Sequence, residues 1–227
     1  MEFAGVSKSY RAGIGGATRS VLSDCTSTIG AGESVGLMGA SGSGKSTLGR
    51  ILAGLERPDH GVIRFCGEDI YAGTRTSWKR FRRSVQMLFQ DPGGAFHPMR
   101  RIDQSLKQVL ELYGDSAANH DDTIRAMLFR VGLHGEVLFR YPDQISGGQA
   151  QRLALARLLL VHPRVIILDE PTSGLDISVQ AQILHLLKDV QRTCCVSYFL
   201  ISHDEEVIRF MTDRFYILTE GTLMSSE

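Results

Sequence analysis

With 227 residues, the chain has the length of one nucleotide-sized domain with a subdomain, enough to bury roughly 70 to 75% of its unfolded surface. Its 25 basic residues balance 25 acidic ones, which excludes general electrostatic attraction to nucleic acid as the basis of a partnership. No apolar stretch reaches the ~18 to 20 residues that cross a bilayer, and MEFAGVSKSY lacks the basic segment and apolar run of a signal peptide. A membrane role is therefore expected from the surface. The four cysteines, Cys25, Cys66, Cys194 and Cys195, show neither zinc spacing nor a disulfide framework. They are expected to be small, buried apolar side chains in a reducing cytosol.

In chain order, short strands are predicted around Glu2 to Val6 and Val21 to Ile29, separated by the loop RAGIGGATRS. SVGLMG is an apolar run ending in glycine, and STLGRILAGL places Leu48, Ile51, Leu52 and Leu55 at helical spacing. Together they predict a strand, a glycine loop and a helix. GVIRFCGEDI reads as a strand and turn, and VQMLFQ as a buried strand. WKRFRR, between Trp78 and Arg83, is the one basic cluster with aromatics, and is read as a solvated helix face.

From Asp91 to about Leu160 the signals are helical: QSLKQVLELYG, DDTIRAMLFRVGL and SGGQAQRLALARLLL. Strand signals return in RVIILDE, VSYFLIS and RFYILTE, separated by one helix on which Val179, Ile183, Leu186, Leu187 and Val190 share a face. The expected fold class is α/β, with residues 1–90 and 161–227 forming the core and residues 91–160 a helical insertion.

GASGSGKS, comprising Gly39, Ala40, Ser41, Gly42, Ser43, Gly44, Lys45 and Ser46, fills every fixed position of the P-loop pattern, and Thr47 continues it. Triphosphate carries several negative charges, and glycines let successive backbone N–H groups converge on its oxygens at a helix N-terminus. Lys45 is expected to reach the β- and γ-phosphates and the Ser46 hydroxyl to ligate Mg²⁺. VIILDE ends an apolar strand in two carboxylates, where a parallel sheet presents ligands. Asp169 is expected in the Mg²⁺ shell, and Glu170 is positioned to orient or deprotonate an attacking water. FLISHDE ends another strand at the same sheet edge, which places His203 to contact the γ-phosphate or that water.

A second phosphate grip lies in YPDQISGGQAQR. Ser146 suits an N-cap, and Gly147 and Gly148 allow close approach of another molecule at the positive end of a helix. One triphosphate is already cradled by the P-loop. The second grip therefore implies a two-fold dimer in which each chain closes on the ATP held by its partner.

These motifs, in this order, resemble the ATP-binding cassette (ABC) ATPases over essentially the whole chain. The most specific element is SGGQ, Ser146 to Gln149. The resemblance implies a P-loop core with an antiparallel β subdomain and an inserted helical subdomain, using ATP and Mg²⁺. It implies that Tyr10 stacks on adenine, that Gln90 couples Mg²⁺ to a transmembrane partner, and that SGLD, Ser173 to Asp176, crosses the dimer interface. Glu170 matches the catalytic glutamate and His203 the switch histidine. Lys45 and Gln90 complete the catalytic set.

FRRSVQMLFQDP and LDISVQAQILHLLKDVQ are similar to the ATPases of peptide and nickel importers, with the short nickel members nearest in length. That branch implies a second ATPase subunit, two membrane permeases and an extracytoplasmic binding protein, with this chain on the cytoplasmic membrane face. DPGGAFHPMR departs from the branch, with glycines and His97 at unexpected positions. Two other roles share the motifs: an exporter ATPase, and a soluble ATPase of DNA repair or translation. The single uninterrupted cassette with zero net charge argues against the second, and the branch-specific stretches against the first.

Overall fold

The computed structural model describes residues 1–11, 17–113 and 119–225. Residues 12–16 of the expected loop RAGIGGATRS, and Gly114 at the end of one expected helix, lie outside the described residues, while Arg11 and Thr18 to Ser20 of that loop belong to strands. Two sheets organise the chain. The first is antiparallel, with β1 (Glu2–Arg11) between β2 (Thr18–Thr28) and β4 (His60–Phe65), and β5 (Glu68–Asp69) outside β4. The second contains β3 (Ser34–Met38), β6 (Val85–Leu88), β7 (Val165–Asp169), β8 (Ser197–Ile201), β9 (Arg214–Thr219) and β10 (Thr222–Ser225). Its order is β10-β9-β3-β8-β7-β6, parallel except for the β9–β10 hairpin.

The strands VIILD and SYFLI, apolar except for Asp169 and Ser197, are buried along their full length because both faces of this sheet are covered. Alternation along each strand then supplies two cores. Val165 and Ile167 of β7, with Phe199 and Ile201 of β8, pack among Leu48, Ile51 and Leu52 of α1 (Lys45–Leu52) and the antiparallel sheet's Phe3, Val6 and Leu22. Ile166 and Leu168, with Tyr198 and Leu200, face the other way, toward α5 (Gly147–Leu159) and α6 (Ile177–Cys194). A period of two is what directs one strand into two layers. Tyr198 is fully buried, and its phenol donates to Leu187 O at 2.8 Å, so this buried hydroxyl is paired.

Between β6 and α5 lie α3 (Ile102–Leu112) and α4 (His120–Arg130), whose Leu106, Leu110, Ile124 and Leu128 join the second core. No helix among the described residues is long and apolar enough to cross a membrane. The basic cluster belongs to α2 (Arg75–Ser84), which starts at a Thr74 N-cap. This helix is solvated on its arginine face only. Phe81 is buried with its ring 5.8 Å from that of Phe65, and Trp78 packs 5.5 Å from Phe81.

Two expectations are corrected. Two helices, not one, separate the last parallel strands, because α7 (Glu205–Met211) lies between β8 and β9. Asp204 caps it through Glu206 N and Val207 N, and Val207, Ile208 and Met211 enter the core. The cysteines are also not uniformly buried: Cys25 is, but Cys66 and Cys195 are exposed and Cys194 is intermediate. Cys66 sits in the β4–β5 turn at φ 53° and Cys195 ends α6 at φ 53°. Turns and helix ends are placed at the surface by their backbone requirements, which override the thiol's preference for the interior.

Candidate functional site

The glycine loop leaves the C-terminal end of β3 and enters α1 at Gly44, whose φ is 109°. A Cβ on Gly44 would lie 2.8 Å from Val21 Cγ1 and 2.9 Å from Val21 O. On Gly39, at φ 155°, it would lie 2.7 Å from Leu218 O. The loop is thus wedged between β2 and β9, and only glycine fits at either position.

Four features of this loop suit an anion such as a nucleotide phosphate chain. The α1 N-terminus has no side-chain cap, so its first-turn N–H groups have no intrahelical acceptor. A Cβ on Gly42, at φ 76°, would meet nothing within 4 Å, so the loop's tip is open. Ser43 Oγ is shielded from solvent without a hydrogen-bond partner. Lys45 is buried and donates from Nζ to Gly39 O at 2.7 Å and Ala40 O at 2.8 Å, so its charge rests on the loop's own carbonyls.

Beside the loop, Ser46 Oγ donates to Asp169 Oδ1 at 3.0 Å. Asp169, the last residue of β7, is 5% exposed. Burial pushes its carboxyl above the ordinary aspartate value, opposed by the Ser46 hydrogen bond and raised further by Glu170. A hydroxyl and a carboxylate are the hard oxygen donors that suit Mg²⁺, and a cation there offsets the burial penalty.

Glu170 adopts φ 50°, a left-handed conformation, while its N–H extends the ladder to Ile201 O at 3.0 Å. Its carboxylate oxygens lie 3.0 and 2.9 Å from His203 Nδ1. Because an ionised carboxylate only accepts, Nδ1 carries the proton and Nε2 of a neutral ring keeps its lone pair. The elements thus bring together Lys45, Ser46, Asp169, Glu170 and His203 at the C-terminal edge of β3, β7 and β8.

Other expected residues are placed elsewhere. Gln90, two residues beyond β6, is exposed and makes no hydrogen bond to Ser46 or Asp169 among the described residues. Ser41 is exposed, and Thr47 is buried and accepts from Arg50 Nη2 at 3.2 Å. Tyr10, near the end of β1, donates its phenol to Glu56, with Lys8 Nζ 5.7 Å from its ring centroid.

The second grip opens α5 with a reciprocal cap. Ser146 Oγ accepts from Gln149 N at 3.3 Å, and Gln149 Oε1 accepts from Ser146 N at 3.1 Å. No hydrogen bond joins Ser146 to Gln149 with the P-loop among the described residues. The glycines also serve packing within the chain: a Cβ on Gly148 would lie 2.9 Å from Val179 Cγ1, and one on Gly147 3.7 Å from Leu175 Cδ2. Asp176 caps α6, its Oδ1 accepting from Val179 N at 3.0 Å. Sequence reasoning passed over Gln151, which is 3% exposed and donates from Nε2 to Pro171 O at 2.6 Å. The signal was present: a polar residue on the apolar face formed by Ala154, Leu155 and Leu158.

The ABC transporter family's sequence pattern matches residues 22–173. The nickel import ATP-binding protein NikE of Rhodospirillum rubrum is 42% identical over 91% of this chain and 75% of its own length. The oligopeptide transport ATP-binding protein OppF of Haemophilus influenzae is 38% identical over 91% of this chain and 63% of its own length. The chain thus spans less than two thirds of the latter. A dimeric ATP-binding cassette solved in a post-hydrolysis state with ADP and Pi superposes with a TM-score of 0.87 at 27% identity, over 100% of this chain and 97% of that one. The P-loop core, its antiparallel and helical additions and these matches together establish that the chain belongs to the ABC transporter family, as one of its ATPases.

Proposed function

We propose that this chain is the ATP-hydrolysing subunit of an importer for nickel, a metal chelate or short peptides, acting at the cytoplasmic face of the membrane. The observation that carries the reading is the cluster of Lys45, Ser46, Asp169, Glu170 and His203 at one sheet edge. The likeness to nickel and oligopeptide import proteins supports the cargo class.

Bound ATP with Mg²⁺ supplies the electrophilic γ-phosphorus. The backbone N–H groups at the start of α1, with Ser43 Oγ, bind the phosphate oxygens, and Lys45 Nζ exchanges Gly39 O and Ala40 O for them. Ser46 Oγ and Asp169 would hold the metal ion, with Gln90 as a further ligand, and Tyr10 would stack on the adenine. Glu170 orients a water and accepts its proton as the water oxygen bonds to the γ-phosphorus and the bond from that phosphorus to the bridging oxygen breaks, leaving ADP and phosphate, and His203 Nδ1 steadies that carboxylate.

The site is completed in trans. Ser146, Gly147, Gly148 and Gln149 grip the ATP held by a second ABC subunit, identical or different, while Asp176 and its loop line the same interface. The helical insertion of residues 91–160 and the segment around Gln90 pass the motion to two permease subunits, and an extracytoplasmic binding protein delivers the cargo.

The test is uptake of nickel salts and of labelled oligopeptides by cells carrying the chain with its permeases. Glu170→Gln should abolish uptake of one cargo and ATP turnover while leaving ATP binding intact. Unchanged turnover would remove Glu170 from the mechanism, and cargo moving outward would overturn the import assignment.

A further inference from the structure

Beyond the motif residues, the geometry points to Gln151 as a positioning residue: its buried amide holds the carbonyl of Pro171, fixes the turn from which Glu170 acts, and ties hydrolysis to the placement of α5. This rests on Glu170 being the residue that orients the attacking water.

Glu170 occupies a backbone region that residues with a Cβ rarely adopt, at φ 50°. Such a conformation persists where surrounding bonds over-determine it. Three of the hydrogen bonds on the turn bear on Glu170 and Pro171 through their backbone. Glu170 N donates to Ile201 O at 3.0 Å, Ser173 N donates to Glu170 O at 3.2 Å, and Gln151 Nε2 donates to Pro171 O at 2.6 Å. The first comes from the sheet and the second from the turn itself. The third comes from the helix that begins at the second phosphate grip.

Pro171 is buried and has no N–H, so its carbonyl is its sole strong backbone hydrogen-bonding group. The Gln151 bond therefore holds the Pro171–Thr172 peptide, and because the proline ring fixes φ at Pro171, it restrains the chain that leaves Glu170 as well. Along α5 Gln151 stands five residues beyond Ser146, an axial rise of about 7.5 Å. A rigid helix of that length carries any displacement of the Ser146 to Gln149 end to the Pro171 carbonyl. Capture of the partner's nucleotide by that end and alignment of Glu170 then become one mechanical event. Gln180 Nε2, donating to Thr172 Oγ1 at 3.3 Å, braces the next residue of the turn from α6.

The test uses the assembled transporter and two variants of Gln151. Gln151→Met keeps the length but removes the donor. Its kcat should fall by about tenfold, the rate equivalent of one net hydrogen bond, while KM for ATP stays within about twofold. A kcat within about twofold of the parent would overturn the proposal, as would equal losses in ATP affinity and kcat.

Gln151→Glu sets a carboxylate against the Pro171 carbonyl and should be impaired at about pH 8. Its activity relative to the parent should recover toward about pH 6, because a buried carboxyl of raised pKa takes up a proton and donates again. A relative activity independent of pH would also overturn the proposal, and this series decides the matter if Gln151→Met does not fold. Glu170→Gln in the same preparation separates the two ideas. If it turns over ATP normally, the Glu170 reading fails; if it is inactive while both Gln151 variants behave like the parent, only this inference fails.

Discussion

Replacing Ser43 by alanine removes a hydroxyl that is buried and has no hydrogen-bond partner within the chain. An unsatisfied buried polar group costs about 1–3 kcal/mol in lost hydration, so the alanine variant is relieved of it at the expense of a void one oxygen wide. The net expected gain is about 1 kcal/mol, a rise of about 2–4 °C in Tm for a chain of this size. With nucleotide the sign reverses. A hydrogen bond from this hydroxyl to a charged phosphate is worth about 1.5–3 kcal/mol, so ATP affinity should fall by about ten- to a hundredfold. Differential scanning fluorimetry without ligand, followed by ATP titration of the same samples, measures both arms. An alanine variant that melts no higher than the parent and binds ATP equally well would refute the assignment of Ser43 as a phosphate donor held in reserve.

Gly148→Ala should reduce ATPase activity in the assembled transporter by about tenfold or more, since overpacking of this kind costs about 1–3 kcal/mol and displaces the start of α5. Adding Val179→Ala should restore most of it; failure to do so would assign the loss to contact with the partner's nucleotide instead. Arg214 and Gly30 N hydrogen-bond Glu33 and hold its carboxyl below the ordinary 4.5. The stability this contributes is fully present above pH 4.5 and is lost as pH falls through the depressed native value. Glu33→Gln should therefore lose less stability than the parent between neutral pH and about pH 3, and identical acid slopes would count against the ion pair. A maleimide reagent applied to the folded chain should label Cys66 and Cys195 readily and Cys25 only on unfolding, as read by mass spectrometry of peptides. Rapid labelling of Cys25 would contradict its burial.

The parallel sheet was legible because VIIL, ahead of Asp169, and YFLI, after Ser197, are unbroken apolar or aromatic runs of the kind a strand covered on both faces carries. The P-loop was legible because its glycines answer to backbone geometry, visible here at Gly39 and Gly44. Ser146 was read as an N-cap and Asp169 as a strand-end carboxylate, and the structure places both so; the burial of Asp169 and its bond to Ser46 were not foreseen. Other features depend on contacts distant in the chain. Pairing of Gln151 with Pro171, or of Gly148 with Val179, joins separate helices and turns, and no local period reports it. The short helix α7 escaped notice because seven residues offer barely two turns of periodicity, although Asp204 and the acidic residues behind it mark a helix start. Composition misjudged the cysteines because it carries no information on where a turn or helix ends.

The left-handed backbone of Glu170 also settles a question of order. Along β7 the odd positions face α1 and the even positions face α5 and α6, so a strictly extended chain would send the side chain after Asp169 toward the layer of Ile166 and Leu168. An ionised carboxylate has no place among those residues. One reversed dihedral turns it instead to His203, and neighbours that alternation would separate come to serve a single edge. The two carboxylates are thus not interchangeable: the dipeptide is directional, with a shorter acid held inside the last pleat and a longer one swung beyond it.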